Sequence, residues 1–262
     1  MSHAIDKFWL WGHDAGSHDD QYDLPAKSRI TPVEAAYYMG VPNVIQVRYS
    51  QASLAPTDQY IVPFRALDKV MCSLVGAGGV TIEAERERVL DLPRCLPNMT
   101  GVIMDDFFRD VTDPQKAGQL SPRQLDHICA RLSEYERDLE LWVVLYTHQL
   151  KLPVGEHLAR CDRVTFWTWE APQLERLEEH LAALEALAPS CGIVLGCYMW
   201  DYGLKRPMPV EAMRRQCEQG LAWLKSGRIG GMIFLATCIC DLGLPAVEST
   251  RHWIREVGGE EV

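Results

Sequence analysis

The sequence predicts an α/β protein, a single (β/α)8 barrel of the TIM type spanning residues 1–262, and three observations carry that expectation. The chain has 262 residues, close to the ~250 typical of one such barrel. Short apolar runs alternate with amphipathic segments from end to end, the order that builds a parallel sheet with helical crossovers. No linker rich in Gly, Ser or Pro and no block of like charge divides the chain.

In chain order the strands are expected at residues 8–14, 43–49, 70–75, 101–106, 141–148, 163–169, 193–200 and 231–237. Helices are expected near 31–40, 81–93, 121–137, 153–160, 171–188, 209–226 and 244–257; the second crossover, 51–69, is the least clear. Thr31 with Glu34 and Ser121 with Gln124 have the spacing of capping boxes, with Pro32 and Pro122 at the first helical position. Leu174, Leu177, Leu181 and Leu184 form the buried stripe of an amphipathic helix. Two irregular stretches, 15–30 and 109–120, follow strands and so fall on the barrel face that presents catalytic groups, where they are suited to be lids. The glycine-rich run 76–79 reads as a tight turn, because the rest of a dinucleotide or P-loop fingerprint is missing.

A net charge of −10 with scattered Lys and Arg repels phosphate backbones, so nucleic acid is not expected as a partner. No apolar run reaches the ~20 residues that span a bilayer, and no membrane partner is expected. Residues 1–7 lack the pattern of a signal peptide, which predicts a cytoplasmic protein. Of nine cysteines, Cys72, Cys129, Cys197 and Cys217 lie in apolar stretches and read as buried free thiols; Cys238 and Cys240 form a lone CxC, a weak metal signal. No cofactor is expected, and the oligomeric state stays open.

Strand residues alternate between the helix side and the barrel interior. In the seventh strand Ile193, Leu195, Cys197 and Met199 suit the helices, leaving Val194, Gly196, Tyr198, Trp200 and then Tyr202 inside. The same rule places Thr165, Trp167 and Trp169 inside on the sixth strand, and Val144, Tyr146 and His148 on the fifth. It does so for Trp9, Trp11 and His13 on the first, Gln46 and Arg48 on the second, Ser73 on the third and Thr237 on the eighth. Polarity rises toward the C-terminal ends, where a barrel does its chemistry. Trp11, His13, Arg48, Tyr146, His148, Trp169, Tyr198 and Trp200 are therefore the candidate substrate-binding residues, their aromatic faces suited to a small carbohydrate or glycan.

The sharpest feature is Gly101-Val-Ile-Met-Asp-Asp-Phe-Phe108, a hydrophobic strand ending in two carboxylates. Desolvated neighbours of this kind do not both ionise freely and can divide acid and base roles; the structural alternative is a helix cap or a salt bridge to Arg48 or Arg109. Glu170 and Asp201 end the sixth and seventh strands, and each reads as a cap, a supporting group or the second carboxylate of a glycosidase. An apolar fourth strand ending in Asp-Asp resembles the hexosaminidase-type barrels of the O-GlcNAcase and hyaluronidase-like superfamily. That resemblance implies a glycoside hydrolase acting on an N-acetylhexosaminide by substrate-assisted, retaining catalysis. On it, Asp105 orients and polarises the acetamido group and Asp106 is the general acid/base, its pKa raised by burial and by Asp105. Two rivals remain open: a metal-dependent hydrolase or isomerase using His13, Asp14, Asp105, Asp106, His148, Glu170 and Asp201, and a non-catalytic sugar-binding barrel.

Overall fold

The computed structural model describes residues 2–49 and 61–262. Eight parallel strands close into a barrel in which each is hydrogen-bonded to its neighbours in sequence and the last to the first. They are β1 (Phe8–Gly12), β2 (Asn43–Gln46), β3 (Lys69–Val75), β4 (Met99–Met104), β5 (Glu140–Tyr146), β6 (Arg163–Trp167), β7 (Gly192–Tyr198) and β8 (Gly231–Leu235). Between and after them run α1 (Pro32–Met39), α2 (Glu83–Asp91), α3 (Pro122–Leu132), α4 (Gly155–Leu158), α5 (Leu177–Leu187), α6 (Val210–Lys225) and α7 (Pro245–Val257). The expected α/β barrel is the observed one. Most of the unclear crossover, residues 51–60, lies outside the described residues.

The expected elements differ from the observed ones mainly at their ends. Seven of the eight strands stop two or three residues earlier than the hydrophobic pattern does. There the sheet ladder gives way to side-chain bonds: Thr237 Oγ1 accepts from His13 N–H at 3.1 Å, Ser73 Oγ from Arg48 N–H at 3.0 Å, and Gln149 Oε1 from Tyr146 N–H at 3.1 Å. Both capping boxes form, with Glu34 and Gln124 reaching back to the N–H groups of Thr31 and Ser121 at 2.9 Å each. Leu177, Leu181 and Leu184 are buried on α5, whereas Leu174 sits half-buried on a preceding 3-10 turn, Ala171–Arg176.

The chain packs as two compact units. The first holds residues up to Ile45, Trp167–Leu177 and Ile193–Val262. Its core joins β1, β7 and β8 to α6 and α7: Phe8 meets Phe234 edge-on at 5.5 Å and stacks on Trp253 at 5.5 Å. Gly196 on β7 is required by its neighbour, since a Cβ there would lie 2.0 Å from the Trp167 ring. The second unit holds Gln46–Phe166 and Glu178–Gly192. Here Arg163 binds Glu140 through two nitrogens at 3.0–3.1 Å, and Arg137 satisfies the carbonyls of Pro93, Leu96 and Pro97. Among the described residues, no helix is long and apolar enough to cross a membrane.

Candidate active site

In the second unit, β4 ends at Met104, yet Asp105 N–H still donates to Val75 O at 3.0 Å, so Asp105 prolongs the line of the strand. Its side chain is buried, and Oδ1 accepts from Asp106 N–H at 2.9 Å. Asp106 then turns into the left-handed region (φ 43°), uncommon for a residue with a Cβ and frequent at functional sites. Its carboxylate is held at both oxygens: Tyr146 O–H donates to Oδ1 at 2.6 Å and Gly78 N–H to Oδ2 at 2.7 Å. The glycine run is thus a tight turn, Ala77–Gly79, with a second task. A side chain on Gly79 would come within 2.8 Å of the Asp106 carbonyl oxygen, so glycine lets this turn approach the acid.

The two carboxyls are unequal. Burial pushes the Asp105 pKa well above the usual carboxylate range, and the Asp106 charge adds to the effect, partly offset by the Asp106 N–H. The sequence pattern predicts a burial-raised pKa for Asp106; in the structure the burial falls on Asp105, because Asp106 has already left the strand and is only half-buried. Nor do Arg48 and Arg109 form the salt bridge with the acids that was one of the two structural alternatives. Arg48 forms an ion pair with Glu85 and donates to Val80 O at 3.2 Å, and Arg109 Nε donates to Gln119 Oε1 at 3.0 Å. Arg48, a candidate substrate-binding residue, is buried in that contact. His148 is exposed and stacks on Tyr146 (5.3 Å, 7°); desolvation lowers its pKa against the opposing charges of Asp106 and Asp110.

The first unit holds the other aromatic candidates, Trp11, Trp169, Tyr198 and Trp200. Trp11 meets Trp167 at 5.2 Å, Trp167 meets Tyr198 at 4.9 Å, and Tyr198 touches both Trp169 at 5.5 Å and Tyr202 at 5.2 Å. Trp11 Nε1–H donates to His13 Nε2 at 3.1 Å. Of the candidate indoles, Trp11 and Trp200 are buried, Trp200 donating to Tyr22 O at 3.0 Å, while Trp169 remains half-buried against Tyr202. His18 and Tyr22, which the sequence argument missed, enter this cluster from the 15–30 segment. That segment has no periodicity to announce which of its side chains turn inward.

Asp201 is fully buried in a two-stranded ribbon, Trp200–Asp201 against Arg206–Pro207. It accepts from Leu204 N–H at 3.1 Å and Arg206 Nε at 3.3 Å, and so pins a turn. Glu170 precedes the 171–176 turn without capping it by side chain, and lies against Gly203. Among the described residues, no three His, Cys, Asp or Glu side chains gather as a metal ion requires. Cys238 and Cys240 are buried thiols; burial pushes Cys238 up to about 12 and raises Cys240 as well.

No family model and no curated protein sequence matches the chain. Solved structures do. Active domain 2 of a chitinase from Pyrococcus furiosus is 14% identical over 98% of this chain and 97% of its own, with a TM-score of 0.61. The family GH18 chitinase from Cycas revoluta, solved with allosamidin, is 14% identical over 94% and 99% of the two chains, with a TM-score of 0.55. A xylanase-α-amylase inhibitor protein, solved with trehalose, is 13% identical over 96% and 98%, also with a TM-score of 0.55. At such identities the likeness is one of fold, and the fold carries both enzymes and an inhibitor.

Proposed function

We propose that this chain is a glycoside hydrolase, acting as one catalytic domain on a glycan containing N-acetylhexosamine. The observation that carries the reading is the unequal pair at the end of β4. Asp105 is buried and favours its proton, while Asp106 accepts hydrogen bonds at both oxygens from Tyr146 and Gly78. Two carboxyls whose environments differ in this way are suited to divide the work of a two-step hydrolysis between them. In this reading the half-exposed Asp106 meets the substrate as general acid/base, and the buried Asp105 behind it orients the acetamido group that serves as internal nucleophile. A likeness in fold to a chitinase that has been solved with chito-oligosaccharides is consistent with the same substrate class.

The half-buried face of Trp169, and the trehalose complex of a fold neighbour that is an inhibitor, favour one second reading: a barrel that binds sugar without cleaving it. A panel of chromogenic glycosides, including N-acetylglucosaminide and N-acetylgalactosaminide, separates the two when run on wild type and Asp106→Asn. Loss of general acid/base catalysis is expected to cost 10²–10⁴-fold in turnover, roughly the usual range, while sugar affinity survives. Glycan binding with no turnover in the wild type would establish the second reading, and a fully active Asp106→Asn would remove Asp106 from the mechanism.

A further inference from the structure

The 15–30 segment is held to the rest of the first unit near both of its ends. At its far end, Ser28 Oγ donates to Asp241 Oδ1 at 2.6 Å and Arg29 N–H to Asp241 Oδ2 at 2.9 Å. At its near end, His18 and Tyr22 enter the aromatic cluster: His18 Nδ1 lies 3.1 Å from Tyr202 Oη, and the Tyr22 and Tyr202 rings meet edge-on at 5.0 Å. Between them Asp20, Tyr22 and Asp23 all take left-handed backbone (φ 54–59°), a conformation costly for residues with a Cβ and kept only where surrounding contacts enforce it. The carbonyl of Tyr22 covers the Trp200 indole N–H.

We propose that residues 15–30 are a lid over the aromatic cluster, latched by neutral His18 and released as the solution is acidified. The latch is legible from what surrounds the imidazole. His13 at the end of β1 lies 5.1 Å away, ring to ring; Tyr202 and Tyr22 supply phenols; and the Cys238 thiol, in the turn after β8, takes a bond from the His18 backbone. The nearest carboxylate in sequence, Asp19, is engaged by Arg29 and by Ser28 N–H. A proton on closed His18 would be buried beside a second imidazole, and both effects lower its pKa. In an open lid the same imidazole is solvated and titrates near 6.5. Acid therefore favours the open form: the opening constant rises up to tenfold for each pH unit below about 6.5. This inference stands apart from the glycosidase reading, since the cluster could be gated for any ligand.

Hydrogen exchange of peptides within 15–30, corrected for the chemical rate at each pH and referenced to α6, tests it between pH 7.5 and 5. Wild type is expected to open about 30-fold more at pH 5 than at 7.5, His18→Asn to show no such slope, and Tyr202→Phe to open more at every pH while keeping the slope. Wild-type protection that is constant with pH, or a His18→Asn variant with the wild-type slope, overturns the latch. Should His18→Asn not fold, wild type and Tyr202→Phe decide, because a latch that ignores loss of its phenol partner is no latch.

Discussion

Asp105 and Asp106 are bonded neighbours with opposite surroundings, and the difference comes from one backbone turn. Asp105 still follows the strand and is buried; Asp106, at φ 43°, swings toward Tyr146 and Gly78. Because folding raises the Asp105 pKa, the folded chain binds that proton more tightly than the unfolded chain, where Asp ionises near 3.9. Its contribution to stability is complete below that pH and is lost as pH rises toward the folded midpoint. Asp105→Asn retains an acceptor for Asp106 N–H but has no charge to bury. It is expected to be more stable than wild type at pH 8, by about 1 kcal/mol or more, with the gain shrinking at pH 4. Thermal unfolding at the two pH values checks this; a variant destabilised equally at both would mean that Asp105 is ionised in the fold.

At the scale of elements, strand ends and glycines decide where side chains arrive. The hydrophobic pattern runs past the ends of most strands because the residues beyond them are still buried, held by side-chain bonds such as Thr237 to His13. Pattern reports burial, and burial outlasts the ladder. On β7, Gly196 is the place where the barrel interior makes room for the Trp167 ring. Gly196→Ala is expected to destabilise by about 2 kcal/mol or more through overpacking against a rigid indole, and to alter the near-ultraviolet circular dichroism contributed by Trp167. An unchanged melting temperature and spectrum would show that β7 and the ring can separate at little cost. The capping boxes, by contrast, stand as read, since every atom in them lies within four residues.

For the whole molecule, the cysteines give a simple readout of packing. Cys95 is exposed, Cys129 and Cys191 are half-buried, and the other six are buried. Burial pushes Cys72 up to about 12 and raises Cys161, Cys197 and Cys217 too, which suppresses the reactive thiolate. Titration of native protein with a thiol reagent is expected to show one fast thiol, two slow ones and six that react only on unfolding. Fast labelling of seven or more would contradict the packing of both units. What the sequence determined by itself was the order of strands and helices, most of the helix starts and the position of the acid pair at the end of the fourth strand, because periodicity and capping are properties of residues a few places apart. The tertiary structure alone decided which carboxyl is buried, that Arg48 pairs with Glu85, that Asp201 pins a turn, and that His18 and Tyr22 join the aromatic cluster. Those outcomes depend on contacts between distant segments: Gly78 with Asp106, Tyr146 with Asp106, Tyr22 with Trp200, Ser28 with Asp241. Ionisation and partnership follow from what chain folding brings within 3 Å, and no local pattern encodes that distance.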